Sequence, residues 1–274
     1  MVFTLPDPTD DGLIKNQVKP HSRDKHHYLM RYIDAFCHIV HNKKFMYYID
    51  LFCGSGIDEI KKGDLDWGSP LIAAQAPKKF SQLLLNDLDK SKIDALNERL
   101  TRFGHTQQPL VLCEDAGSAV HKIIDLIPKT GSLSLAFIDP YGLNWTFDSL
   151  EHLSTRPMDL VIYFPDLIDI NRNWQAYYKD QDWSLLDSYL GTPDWRTLLE
   201  ESNPDKRIQM LTELFESQLK KIGYNYTSPQ RIKSVKGVPL YRIIFASRSE
   251  FARDVWDDVA RKDRGGQSSF PWKV

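Results

Sequence analysis

Short apolar runs alternate along residues 45–165 with segments whose apolar positions recur at helical spacing. The runs are "FMYYIDLF", "SQLLLND", "PLVLCED", "LSLAFIDP" and "DLVIYFP". Continuous apolar runs of this length predict strands buried on both faces, and so a parallel sheet covered by helices. The intervening stretches "KSKIDALNERLTRF", "AGSAVHKIIDLI" and "FDSLEHL" predict covering helices, and "SPLIAAQAP" follows the first strand and a glycine loop. Ahead of that strand, "DKHHYLMRYIDAFCHIVHNKKF" places Leu29, Tyr32, Ile33, Phe36, Ile39 and Val40 at helical spacing, which predicts an amphipathic helix. Residues 165–205 break the rhythm with Trp174, Trp183, Trp195, Tyr177, Tyr178 and Tyr189, and read as an insert after the fifth strand. Then comes a helix, "RIQMLTELFESQLKKIGY", and a hairpin of "RIKSV" and "LYRIIFAS" turned by "KGVP". Residues 1–22 predict an arm laid over the surface, 23–264 a single domain carrying the insert, and 265–274 a polar tail.

Composition changes this picture little. Apolar residues at 42% and charged residues at 26% are ordinary for a globular chain of this length. A formal net charge of −2 gives no general pull toward polyanions, so a nucleic-acid site must be a local patch. Arg231, Lys233, Lys236, Arg242 and Arg248 make the hairpin locally basic, as Arg261, Lys262 and Arg264 do the tail. Such charges are equally the ordinary solvation of an edge hairpin. The three cysteines, Cys37, Cys53 and Cys113, are odd in number and without framework spacing, which fits a reducing, cytoplasmic setting. "MVFTLPDPTDDG" lacks the features of a signal peptide, and no apolar run reaches membrane-spanning length, so no membrane association is expected. His26, His27, His38 and His41 lie on or near the first helix without an acid or cysteine cluster to complete a metal site.

The candidate chemistry lies at the carboxyl ends of the strands. "YYIDLFCGSG" ends the first one, with Asp50 followed by Phe52, Gly54, Ser55 and Gly56. Neither GxxxxGK[ST] nor GxGxxG is present, which argues against P-loop and dinucleotide sites. An acid followed by glycines suits a cofactor that has no phosphate and a cationic amino acid end. "LLLNDLD" ends the second strand with Asp87, where a ribose needs an acceptor for its hydroxyls. "VLCEDAG" ends the third with Glu114 and Asp115, ahead of Ala116, placed to take the amine of an adenine. Any one acid alone is more simply a solvated strand end. Three on successive strands predict one binding site. "FIDPYG" ends the fourth strand with Asp139, Pro140 and Tyr141, a carboxylate and an aromatic ring on the same edge or else a plain turn.

Five parallel strands, a helix and a terminal antiparallel hairpin resemble the class I methyltransferases. That resemblance implies a Rossmann-like, mainly parallel seven-stranded sheet with helices on both faces, and S-adenosylmethionine as cofactor. Asp50, Gly54 and Gly56 would then hold its amino acid end, Asp87 its ribose and Asp115 its adenine. Methyl transfer asks a protein mostly to align the nucleophile and exclude water. Asp139 and the Pro140 carbonyl would accept N–H bonds of an acceptor amine while Tyr141 stacks on its ring. "DLFCGSG", "GSPLIAA", "FIDPYG" and "LYRIIFASRSEFA" together resemble the three-Cys-motif partner protein family (TcmP) over roughly residues 23–262. This implies a partner protein with a three-cysteine motif. "IDPYG" is also similar to the Asp-Pro-Pro-Tyr motif of amino-methyltransferases, though a single proline precedes the aromatic. The cytosine-C5 methyltransferases share "DLF-x-G-x-G", but no cysteine here follows a proline. The resulting expectation is methylation of an amino group, in RNA or DNA, with a catalytically inactive methyltransferase-like adaptor as the alternative.

Overall fold

The computed structural model describes residues 3–42, 44–103, 108–165, 170, 174, 184–198, 203–233 and 239–261. The chain opens with β1 (Asn16–Gln17), α1 (Ser22–Val40) and β2 (Phe45–Asp50). A hairpin of β3 (Ile57–Lys61) and β4 (Asp64–Trp67) precedes α2 (Ser69–Ala74). Next come β5 (Gln82–Asn86), α3 (Lys90–Leu100), β6 (Leu110–Leu112), α4 (Ala116–Leu126) and β7 (Ser132–Ile138). After α5 (Phe147–Ser154) and β8 (Met158–Pro165) stand α6 (Leu185–Leu190) and a 3-10 turn, Asp194–Leu198. The described chain ends with α7 (Pro204–Lys221), β9 (Tyr226–Lys233), β10 (Pro239–Ser247) and α8 (Glu250–Ala260).

Seven of the described strands form one sheet in the order β6-β5-β2-β7-β8-β10-β9. β2 pairs in parallel with β5 and β7, and β6 and β8 extend the parallel set on either side. β10 runs antiparallel between β8 and β9. This is the predicted Rossmann-like arrangement, mainly parallel with a terminal antiparallel hairpin. Strand alternation sends the two sides of β2 into two cores. Tyr47 and Ile49 join Ile123, Leu150, Phe164 and Phe215 beneath α4, α5 and α7. Met46 and Tyr48 join Leu29, Phe36, Leu96 and Trp256 beneath α1, α3 and α8.

Three local features go beyond the sequence expectation. The arm of residues 1–22 supplies β1, which pairs in parallel with β3, so β1, β3 and β4 make a second, three-stranded sheet. Its turn needs Gly63 at φ +79°. The N-cap of α2 is Gly68, without a side-chain cap, and the Ser69 hydroxyl is given to Asp50. In the insert, Trp174, Tyr189 and Trp195 are buried and belong to the same core as β8 and α7. Asp187 anchors this segment by accepting from Trp195 Nε1 at 2.9 Å and pairing with Arg196. Trp183, Tyr177 and Tyr178 lie outside the described residues.

Candidate functional site

β2, β5, β6 and β7 end on the same edge of the sheet, and the strand order reverses beside β2. Ligands of open α/β sheets bind at such a reversal. A cleft of about 730 Å³ lies there. Eight of the residues singled out by sequence line it: Phe52, Gly54, Asp87, Glu114, Asp115, Ala116, Asp139 and Tyr141.

The glycine loop is held from several sides. Gly54 N donates to Asp87 Oδ2 at 2.9 Å, and Cys53 N donates to the Asn86 carbonyl at 2.9 Å. Ser55 N donates to Asn16 Oδ1 of the arm at 3.0 Å. Gly54 has φ +61°, and a Cβ there would sit 2.5 Å from Asn16 Nδ2, so a side chain is excluded twice over. Asp87 Oδ1 also accepts from Asp89 N at 2.9 Å, while Asp89 itself caps α3. Leu88, beside it in the cleft wall, is 75% exposed. Asp115 caps α4 through Oδ1, accepting from Gly117 N and Ser118 N. Phe52 meets Trp145 edge to face at 5.7 Å between centroids.

Four of the predicted residues stand behind the wall rather than in it. The carboxyl of Asp50 is fully buried and accepts from Ser69 Oγ at 2.6 Å, Tyr48 Oη at 3.2 Å and Phe52 N at 3.2 Å. Burial pushes it up to about 7, against the pull of those donors and with a further push from the charge of Asp139. Gly56, at φ +86°, allows close packing: a Cβ there would lie 2.8 Å from Leu71 Cγ and 2.9 Å from Leu96 Cδ1. Ser55 is buried and donates to the Ile57 carbonyl. Pro140 is buried as well.

At the end of β7, Asp139 Oδ2 is ion-paired with Lys25 Nζ from the first turn of α1. The same ammonium lies 5.5 Å from the centroid of the Tyr163 ring. Tyr141 is 91% exposed at the mouth of the cleft. Residues that sequence reasoning did not place here are Asn16, Lys25, His26, Asp58 and Trp145, all of them in the cleft wall. Lys25 and His26 stand in the "DKHH" that opens the amphipathic helix, His26 one turn ahead of Leu29 on the face the helix buries.

The basic hairpin is partly consumed by internal contacts. Arg231 pairs with Asp205 at 2.7 Å, Arg242 is buried, and Arg248 donates to the Ser154 carbonyl and lies over the Tyr224 ring. Lys236, Lys262 and Arg264 lie outside the described residues. Among the described residues, no helix is long and apolar enough to cross a membrane.

No family model matches the chain, and no curated protein matches it. Solved structures do. Protein LPL1258 from Legionella pneumophila, of the family DUF519, superposes with a TM-score of 0.52 at 14% identity, over 90% of this chain and 94% of that one. An O-methyltransferase from Bacillus cereus, solved in complex with SAH, gives 0.46 at 10% identity over 86% and 84%. The O-methyltransferase TomG from Streptomyces achromogenes, solved in complex with SAM, gives 0.42 at 11% identity over 83% and 80%. At these identities the first similarity is one of fold.

Proposed function

We propose that this chain is an S-adenosylmethionine-dependent methyltransferase acting on an amino group, with a nucleobase of RNA or DNA as acceptor. The observation that carries the reading is convergence: Asp87, Asp115 and Asp139, from three different strand ends, meet the Gly54 loop in one cleft at the switch point of the sheet. The donor set fits the cofactor. Carboxylates suit ribose hydroxyls, an adenine amine and a sulfonium charge. Leu88, Phe52 and Trp145 offer apolar surface for the nucleoside, and the volume is in the ordinary range for such a site.

When bound, S-adenosylmethionine supplies an electrophilic methyl group whose leaving group is a neutral thioether. The work of the chain is then alignment. Lys25 takes Oδ2 of Asp139, and Oδ1 has no protein partner among the described residues. Oδ1 accepts an N–H bond of the acceptor amine and turns its lone pair toward the methyl, a role that Pro140, behind the wall, does not share. Asp139 Oδ1 receives the proton released afterwards. The exposed ring of Tyr141 stacks on the base. Asp139→Ala is expected to lower methyl transfer by about 100-fold or more, the scale of a positioned acid–base group. Binding of S-adenosylhomocysteine, measured by calorimetry, should survive the change. Full activity in this variant would remove Asp139 from the mechanism. Radiolabelled methyl groups should enter RNA or DNA; label confined to protein or small-molecule pools would overturn the acceptor.

The second reading is a methyltransferase-like adaptor without turnover. It is favoured by the ion pair on Asp139 and by loop N–H groups that the protein itself already satisfies. Absence of any cofactor binding would select it. The resemblance to the TcmP family supports a three-cysteine-motif partner under either reading. Three free cysteines fit a cytoplasmic protein.

A further inference from the structure

A second recess opens at the other end of the parallel strands, by the starts of β7 and β8. It is a slot of about 300 Å³ between α1 and α8. Phe36 and Val40 of α1, Leu133 of β7, and Phe251 and Val255 of α8 make its walls mainly apolar. Small-molecule sites run from about 300 to 1,000 Å³, so the slot suits a compact ligand. Phe251 is 61% exposed and Asp159 is 4% exposed, so the slot leads from an open apolar mouth to a buried carboxyl.

That carboxyl is oriented but not neutralised. Tyr32 Oη donates to its Oδ2 and Ser247 Oγ to its Oδ1, and Ser249 N fixes the Ser247 hydroxyl at 3.0 Å. Each carboxylate oxygen keeps a further lone pair. Burial raises Asp159 only to about 6, so at neutral pH it is ionised. Buried charges are as a rule paired with an opposite one. Among the described residues none forms an ion pair with Asp159. Lys44, exposed at the mouth, acts on it through charge alone and less than either hydroxyl does. Arg248, also in the wall, is turned to the Ser154 carbonyl and the Tyr224 ring.

We infer that this slot binds a small organic cation, its aromatic body between α1 and α8 and its ammonium donating to Asp159. The slot shares no lining residue with the cleft, and the inference is independent of methyl transfer. Tryptamine is the probe, with 3-methylindole as its neutral counterpart and indole-3-propionate as its anionic one. Calorimetric titration of the full chain at neutral pH should show tryptamine binding at least about tenfold tighter than either, the scale of one hydrogen bond to a charged group. Asp159→Asn should lose that margin and keep the affinity for 3-methylindole, which also shows that the slot is intact. Ala252→Trp, which fills the slot from α8, should abolish binding of both. S-adenosylhomocysteine should not compete with tryptamine. Equal binding of the three probes, tighter binding of indole-3-propionate, or no binding of tryptamine would overturn the inference. So would tryptamine binding that survives Ala252→Trp or yields to S-adenosylhomocysteine, which would put the amine in the acidic cleft instead.

Discussion

Two buried aspartates lie at opposite ends of two parallel strands that flank β7, Asp50 closing β2 and Asp159 near the start of β8. Each is held by hydroxyl groups. Asp159 accepts from Tyr32 Oη at 2.9 Å and Ser247 Oγ at 2.6 Å. Burial nonetheless pushes Asp159 up to about 6, with those donors and the charge of Lys44 pulling it back. Folded protein thus keeps this proton to about pH 6, whereas the unfolded chain releases it near 3.8. The folded state binds more protons in between, so stability falls as pH rises through that window. A shift of this size corresponds to about 3 kcal/mol. Asp159→Asn removes the titration. Urea unfolding at pH 4 and pH 7 should show the wild type losing about 2 kcal/mol relative to the variant, since the unfolded carboxyl is already partly ionised at pH 4; a constant difference would mean that burial does not raise this carboxyl in the fold. Asp50 titrates in the same direction, toward about 7.

The arm, α1 and the β3–β4 hairpin are the elements that turn a strand edge into a closed cleft. Arg23 of α1 pairs with Asp64 and Asp66 of β4, and Arg99 of α3 binds the arm through Asp11 at 2.8 Å. Arg99 also donates to the carbonyls of Ile14 at 2.9 Å and Ser55 at 2.6 Å, so one buried guanidinium joins the arm to the glycine loop. Its bond holds the carboxyl of Asp11 down to about 2. Asp11→Asn leaves that cation without its partner, and breaking such a buried pair typically costs about 3–5 kcal/mol. A loss of that size in urea unfolding is expected; a loss under about 1 kcal/mol, the surface-pair scale, would show that the arm is not part of the folded unit. These elements were hard to read in the sequence, unlike the parallel strands and their helices, because their signals are not periodic. β1 is two residues long and pairs with a strand some forty residues on. β3 and β4 are rich in charge, and only Gly63 between them marks a turn. The acids at strand ends were legible as a set, since the strands themselves fix the edge. Which way each pointed was not. Alternation along β2 puts Asp50 on the face of Tyr48, toward α2 and Ser69, whereas Asp87 and Asp139 lie just past their strands and reach the cleft.

For the molecule as a whole, the question is how a chain of net charge −2 would meet a polyanion. Asp58, Asp87, Glu114, Asp115 and Asp139 line the cleft against Lys25 and Lys92, so its field attracts a sulfonium and repels phosphate. A nucleobase would have to enter alone, turned out of its stack, with the backbone left outside. Of the described hairpin cations, Arg242 is buried and Arg231 is shared with Asp205; Lys233 is exposed, and so is Arg248, which bonds the Ser154 carbonyl but no carboxylate. Contact with a single strand through those two should give a log–log salt slope of about −1.4. Filter binding of unstructured RNA between low and moderate salt measures this directly. A slope near −1.4 supports a polynucleotide acceptor held weakly at the hairpin and read mainly by the base. A much steeper slope would move the contact to Lys236, Lys262 and Arg264. No binding at low salt would exclude a polynucleotide and turn the same amine-directed site toward small molecules, whose charge the acidic cleft already favours when it is positive.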